Sequence, residues 1–395
     1  MICHDSTGTY KKFPTDCGHP AYEEKKFGDK VFPAVDLKNI AQNVKKPSRK
    51  NCGTCHFFGG GGDGVKHGDL DTSLIAAEKE LDIHMDVQGL NYSCQRCHST
   101  FNHQISGRKY TRPAPNTRKI SMPNDDGNRL SCESCHTQRP HKNNYKLNDH
   151  TDKVACQTCH IPSFARKKPT VMYWDWSTAG KMDENGKPFE KKSDTARGFT
   201  AYDTKKGDLK WEKDVVPQYL WYDGSMTYKS YNDKIGDARP VRLSYPNGSY
   251  GSANSRIHPF KKHAGKQPFD KEKETMIIPK LFGPKESGAY WANFDWVKAS
   301  QAGMAVMAAD FSGKVDFVET ETYWPITHMV ISKEKSLSCE ECHHEKGRLK
   351  NLAGFYVPSR DSSNLIDYAG IFLMILSFAG VLIHGLLRIT GKKGK

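Results

Sequence analysis

Hydrophobic and polar positions divide the chain into three stretches of different texture. Residues 1 to 165 are polar and punctuated by Gly, Asn, Asp and Pro, so short helices among irregular loops are expected there. The best helical pattern is DTSLIAAEKELDIHMDV, with Asp71 or Thr72 as its cap. Between Ile161 and Ser338 lie all seven Trp, in clusters such as VMYWDWSTAG and AYWANFDWVKA, an aromatic density that marks a packed segment and no linker. DENGKPF and YPNGSYG carry Asn-Gly turn signals for short hairpins, and a helix is expected across SGAYWANFDWVKASQAGMAVMAA. Near the C-terminus, Tyr368 to Leu387 runs 20 residues without Asp, Glu, Lys or Arg. That is long enough for a helix to cross a bilayer core of about 30 Å.

The polar stretch carries a repeated motif. Cys-x-x-Cys-His occurs as CGTCH (Cys52, Cys55, His56), CQRCH (Cys94, Cys97, His98), CESCH (Cys132, Cys135, His136), CQTCH (Cys156, Cys159, His160) and, later, CEECH (Cys339, Cys342, His343). Random placement of the 12 Cys and 17 His predicts about 0.02 occurrences of this pattern, which reads as c-type haem attachment. Two Cys three apart put both sulfurs on one side of a helical turn to bond the haem vinyl groups, and the adjacent His reaches the iron. Structural zinc would need four ligands per ion and no His after every second Cys. At the start of the chain, Cys3 and His4 stand where the last two positions of a sixth motif would. Cys17, in TDCGHP, has no metal-site spacing around it and reads as a plain small residue.

Composition fits this reading. Hydrophobic content of 36% is lean for 395 residues with apolar cores, and haem macrocycles would supply the missing buried surface. The formal charge of +14 could suggest nucleic acid, but the Lys and Arg are scattered and no nucleic-acid signature is present. Six haems would add roughly 12 propionate charges and bring the protein close to neutral. No nucleic-acid partner is expected.

The first four complete motifs begin 42, 38 and 24 residues apart, too close for one domain per haem. The expected fold is therefore a multihaem cytochrome c, mainly short α-helices and irregular loops around a haem cluster, with few short β-hairpins and one C-terminal transmembrane helix. Its parts are a haem-dense stretch at 1–165, a Trp-rich wrapping segment with the last motif at 166–350, and an anchor at 366–388. Arg388, Lys392, Lys393 and Lys395 follow the apolar run, so the positive-inside bias puts the C-terminus in the cytoplasm and the haems on the periplasmic face. His384 lies within the span, either as a contact to quinol or to a haem b subunit or as an interfacial residue.

A sixth iron ligand separates functions, because His on both faces gives a closed electron-transfer haem. His4, His56, His98, His136, His160 and His343 are the candidate proximal ligands. Candidates for the opposite face, all in polar, turn-rich contexts, are His67, His84, His103, His141, His150, His263 and His328. His19, His258 and His344 are left out.

Several segments lying between the motifs as well as within them resemble one family. CHDSTGTY, VDLKNIAQNV, NCGTCHFFGGGGDGVKHGDLD, DIHMDVQG, HQISG, HTDKVACQTCHIPSFA, PTVMYWDWSTAG and HMVISKEKSLSCEECH are similar to the octahaem tetrathionate reductase family of multihaem c-type cytochromes. The resemblance implies eight haem c groups, seven ligated by His on both faces and one active-site haem ligated by a Lys amine. It also implies reduction of tetrathionate, nitrite or hydroxylamine. The Lys is expected from VDLKNIAQNV, which makes Lys38 the catalytic candidate. An amine must be deprotonated to bind iron, so its site has to be dry enough to depress its pKa.

Two complete motifs and the first Cys of a third are absent, and an anchor is added. The expectation is an N-terminally truncated member, with Met1 lying inside an original C-M-I-C-H. The function expected is that of a membrane-anchored periplasmic reductase fed by bis-His haems, with a non-catalytic electron conduit as the alternative. Expected partners are the quinol pool or a membrane cytochrome b-type subunit, a small oxidised sulfur or nitrogen substrate, and other haem proteins. A Ca²⁺ among propionates and Asp side chains is compatible with the sequence, although no loop spells it.

Overall fold

The structure, a computed structural model, describes residues 2–14, 19–27, 30–98, 100–101, 104–105, 131–196, 198–357 and 359–391. Cys17, His103, Lys392, Lys393 and Lys395 lie outside the described residues. The chain falls into two compact units, Met1–Ser336 and Leu337–Lys395.

The first unit is organised by a ten-stranded mixed sheet. Its centre is the long strand Arg256–Asp270, which pairs antiparallel with Val315–Pro325 from Phe260↔Pro325 to Asp270↔Val315, and parallel with Thr170–Asp175. Outward from these, Val241–Pro246 and Met226–Tyr228 extend one side. Gly207–Glu212, Thr200–Asp203 and Glu190–Lys192 extend the other. Gln218–Tyr222 and Thr275–Met276 add to the ends of the long strand.

This sheet corrects the expected fold. Strand accounts for 22% of the chain against 27% helix, so the molecule is not mainly helical with a few hairpins. The signal was present in VDFVETETYWP, whose β-branched and aromatic residues favour a pleated, half-buried surface. It was weak in RIHPFKKHAGKQPFD, where six cationic or imidazole positions and two Pro break the apolar alternation. Lys261 and His263 among them are used by the site instead.

The helix expected across DTSLIAAEKELDIHMDV is reduced to one 3₁₀ turn, Thr72–Ala76, capped by Asp71 onto the Ser73 amide at 2.7 Å. The carbonyls of Leu74 and Ile75 accept from the buried Arg49 guanidinium, at 3.1 and 3.3 Å. The Asp82 and Asp86 side chains take nearby amides, competing with helix propagation. The Trp-rich helix is also interrupted. It forms as Tyr290–Asn293 and Trp296–Val306, because Phe294 adopts φ 52° and Asp295 caps the second piece onto Lys298 N.

Two of the buried apolar clusters join the N-terminal loops to the segment that follows Val315–Pro325. Phe57, Leu74, Ala77, Leu81 and Met329 form one buried cluster, and Ile161, Phe164, Ala165 and Ile326 another. A Cβ at Gly68 would run into the Phe164 ring, so the chain between His67 and Asp69 tolerates no side chain.

The second unit contains the short helix Cys339–Cys342, with a reciprocal cap between Ser338 and Glu341, and a loop held by Arg360 on the carbonyls of Leu349, Leu352 and Phe355. It ends in the 27-residue helix Asn364–Thr390, which is long and apolar enough to cross a membrane.

Candidate functional site

Each attachment motif of the first unit sits on a short helical turn tied to a neighbouring element. CGTCH occupies the helix Arg49–His56, started by Ser48, whose hydroxyl and amide exchange hydrogen bonds with Asn51. The Asn51 amide also donates to Ile2 O and Asp5 O, at 2.9 and 2.8 Å, which fixes the turn bearing Cys3 and His4 beside it. CQRCH occupies the 3₁₀ turn Cys94–Arg96, held by Gln95 donating to Pro47 O at 2.6 Å. CESCH, on Glu133–His136, is tied to the long strand by an ion pair between Glu133 and Arg256. CQTCH, on Cys156–His160, docks on the same strand, with Thr158 Oγ1 donating to Ile257 O at 2.7 Å and Ala155 N donating to it at 3.0 Å.

Four motifs of the first unit meet in pairs. The Cys52 and Cys94 side chains are hydrogen-bonded to each other, as are Cys132 and Cys156. In these two pairs the first sulfurs of the motifs are in contact, so groups attached to them would be neighbours.

Two pairs of imidazoles face each other. The His98 and His328 rings are 6.2 Å apart between centroids and 23° from parallel, and those of His84 and His136 are 6.0 Å apart at 68°. Two rings on opposite sides of an iron, each nitrogen about 2 Å from it, would have centres roughly 6.2 Å apart. Each pair couples a motif His with one of the seven spare histidines.

The remaining candidates are partly gathered. His160 faces His141, His136 and His84 electrostatically, and His56 faces His328. His67 packs edge-on against Trp324 with centroids 5.4 Å apart. His263 lies on the long strand with Nδ1 3.1 Å from Val171 O. His4 Nδ1 is 2.9 Å from Lys45 O, and His150 Nδ1 2.6 Å from Lys146 O. The buried Nδ1 of His141 has no partner among the described residues. His343 follows its helix in the second unit. Lys38 is exposed on the helix Leu37–Gln42, which Asp36 caps. His258, set aside from the sequence, is buried against Tyr222 and Phe260.

Electrostatics favour ligation by nitrogen. Burial pushes His67 and His263 down to about 4, and lowers His56, His84 and His160 as well. Such rings are neutral at pH 7 and offer a lone pair, as an iron ligand must. A ring whose Nδ1–H is held by a carbonyl or carboxylate presents Nε2 outward, the arrangement that orients metal-binding imidazoles. Ring spacing, neutrality and orientation all fit haem.

Sequence reading missed four polar residues that shape this region, three of them buried and Arg166 half-buried. Asp69 Oδ2 accepts from Thr327 N, His328 N and His328 Nδ1, at 2.9, 3.0 and 3.0 Å. Asp82 accepts from His84 N and Met85 N on one oxygen and from Met329 N and Val330 N on the other. Arg166 donates to Leu81 O and Met329 O. Lys261, fully buried, donates to Val65 O, Lys66 O and Thr170 Oγ1, and burial pushes it down to about 7 against the opposing charge of Asp69. The spacings His-Gly-Asp and Asp-Ile-His, with a carboxylate two residues from each candidate ligand, were the signal available for the two Asp.

Comparison with known proteins agrees with the geometry. The sequence model described as bacterial cytochrome c matches residues 171–346, and that of cytochrome c7 and related cytochrome c matches 78–161. Among solved structures the chain is similar to an octahaem cytochrome c from Shewanella oneidensis, with 41% sequence identity and a TM-score of 0.69. The match covers 88% of this chain and 72% of that one. An uncharacterised protein of Archaeoglobus fulgidus is 38% identical over 74 residues, which span 18% of this chain but only 24% of that relative.

Proposed function

The chain belongs to the octahaem cytochrome c family, and from that premise we propose that its haems form a bis-His electron-transfer array feeding a reductive site. Redox activity through haem c follows from the family. The finer reading is reduction of tetrathionate, nitrite or hydroxylamine at a haem ligated by the Lys38 amine. The observation that carries the electron-transfer part is the spacing of the two facing pairs, His98 with His328 and His84 with His136. When bound, haem supplies one-electron chemistry at iron. Burial lowers the proton affinity of His56, His67, His84, His160 and His263, and contacts at Nδ1 orient His4, His150, His263 and His328.

His4, His56, His160 and His343 are proposed as further motif ligands, with His67, His103, His141, His150 and His263 as their partners. Cys3, Cys52, Cys55, Cys94, Cys97, Cys132, Cys135, Cys156, Cys159, Cys339 and Cys342 would carry the thioethers. The helix Asn364–Thr390 supports a single span with Arg388 toward the cytoplasm and the haems on the periplasmic side, receiving electrons from quinol or a cytochrome b-type subunit. A second reading, a conduit that passes electrons to a partner enzyme, is favoured by the exposure of Lys38. Reoxidation of the dithionite-reduced holoprotein separates the two. Oxidation by tetrathionate, nitrite or hydroxylamine at catalytic rates supports the reductase, and none by any of the three leaves the conduit.

A further inference from the structure

We propose that Asp69 acts as a positioning residue that sets the reduction potential of the haem held between His98 and His328, making it the lowest in potential of the bis-His haems. This rests on the reading that these two imidazoles are axial ligands.

The acceptor at Nδ1 distinguishes His328 from its counterparts. His4, His150 and His263 each direct Nδ1 to a neutral backbone carbonyl, at 2.9, 2.6 and 3.1 Å. His328 instead has Nδ1 3.0 Å from a carboxylate oxygen, with the Thr327 hydroxyl farther off at 3.3 Å. A charged acceptor makes a hydrogen bond about twice as strong as a neutral one. It draws the Nδ1 proton away, raises the donor strength of the ring, and so favours the more positively charged iron.

Burial keeps that charge effective. Asp69 is 1% exposed, so little water screens it. Its Oδ2 gathers three N–H donors, all from Thr327 and His328, while Oδ1 has no partner among the described residues. Lys261 lies close enough to feel the charge, but its ammonium is engaged by Val65 O, Lys66 O and Thr170 Oγ1.

Asp82 supplies an internal contrast. It is equally buried and also clamps two amides of the same segment, Met329 and Val330, yet its nearest oxygen is 3.9 Å from His84 Nδ1. Both carboxylates brace the backbone, and only Asp69 hydrogen-bonds a ring. A purely structural role would make the two interchangeable.

The experiment is a potentiometric titration of the haem-loaded, full-length protein, followed by electron paramagnetic resonance. Asp69→Asn keeps the shape and an acceptor oxygen but removes the charge. It should shift one haem upward, raising its reduced-to-oxidised ratio at the wild-type midpoint about tenfold, or about 59 mV for one electron. The other haems should not move. Asp82→Asn should shift the His84 haem by less, and Asp69→Glu should bring the moved potential back toward wild type.

His328→Met identifies the haem. If it leaves every low-spin signal unchanged, the ligand assignment is wrong. If it changes one signal but Asp69→Asn moves no potential, or moves all equally, the assignment stands and the role of Asp69 is overturned. Should Asp69→Asn yield no loaded protein, the wild type decides: the signal that His328→Met alters must be the lowest in potential of the bis-His set, and any higher rank refutes the proposal.

Discussion

The imidazoles of His84 and His136 lie 6.0 Å apart although they come from different loops, one braced by Asp82 and the other carried by a motif turn tied to Arg256. Neither loop has a regular element long enough to fix its own geometry. The separation is set by polar contacts at both ends, which makes it testable by single substitutions.

Removing the imidazole at His84 should open one face of the His136 haem. His84→Ala is expected to convert one low-spin haem to high spin or to a water-ligated form, leaving the others unchanged. Electron paramagnetic resonance at low temperature reads this directly.

Lys38 separates the two functional readings. Lys38→Ala should lower tetrathionate, nitrite or hydroxylamine turnover by at least about 100-fold if the amine ligates the catalytic haem, while the low-spin signals persist. Unchanged turnover would transfer the activity to a partner enzyme.

Arg166 donates to the carbonyls of Leu81 and Met329, two residues of one buried apolar cluster, within reach of the Asp82 charge. Arg166→Ala leaves the Leu81 and Met329 carbonyls without this donor, and a loss of about 1–3 kcal/mol in unfolding free energy is expected. Denaturant titration of the holoprotein measures it, and a loss below about 1 kcal/mol would show that the site relaxes or admits water.

Acid should weaken the fold through His67 and His263. Burial depresses both to about 4, whereas an unfolded chain protonates His near 6.5. Between those values the unfolded state binds more protons, so stability rises with pH across this window and is lost as pH falls through it. Ligation to iron would act in the same direction. Low-spin absorbance should therefore hold at pH 7 and decline on acidification below about 6, checked by a spectroscopic pH titration.

How much of this was legible in the sequence depended on locality. Cys-x-x-Cys-His is a five-residue signal, and the turns bearing His56, His98, His136 and His160 stand where the motif puts them. The apolar run from Tyr368 to Leu387 likewise appears as one long helix. The sheet was not legible because its central strand spends Lys261 and His263 on the site, so an apolar alternation never forms. Asp69 and Asp82 were missed because their partners, Thr327 to Val330, are some 250 positions away. Long-range polar clamps leave no periodicity in a sequence.

The most direct test of the central claim, that this chain carries closely spaced haems ligated by His on both faces, is a haem count paired with a spin count on the purified holoprotein. Pyridine haemochrome with intact mass should give at least one haem for each of the five complete motifs. Electron paramagnetic resonance should assign all but at most one of them to low-spin iron. Fewer haems than complete motifs, or a majority in the high-spin state, would contradict the account.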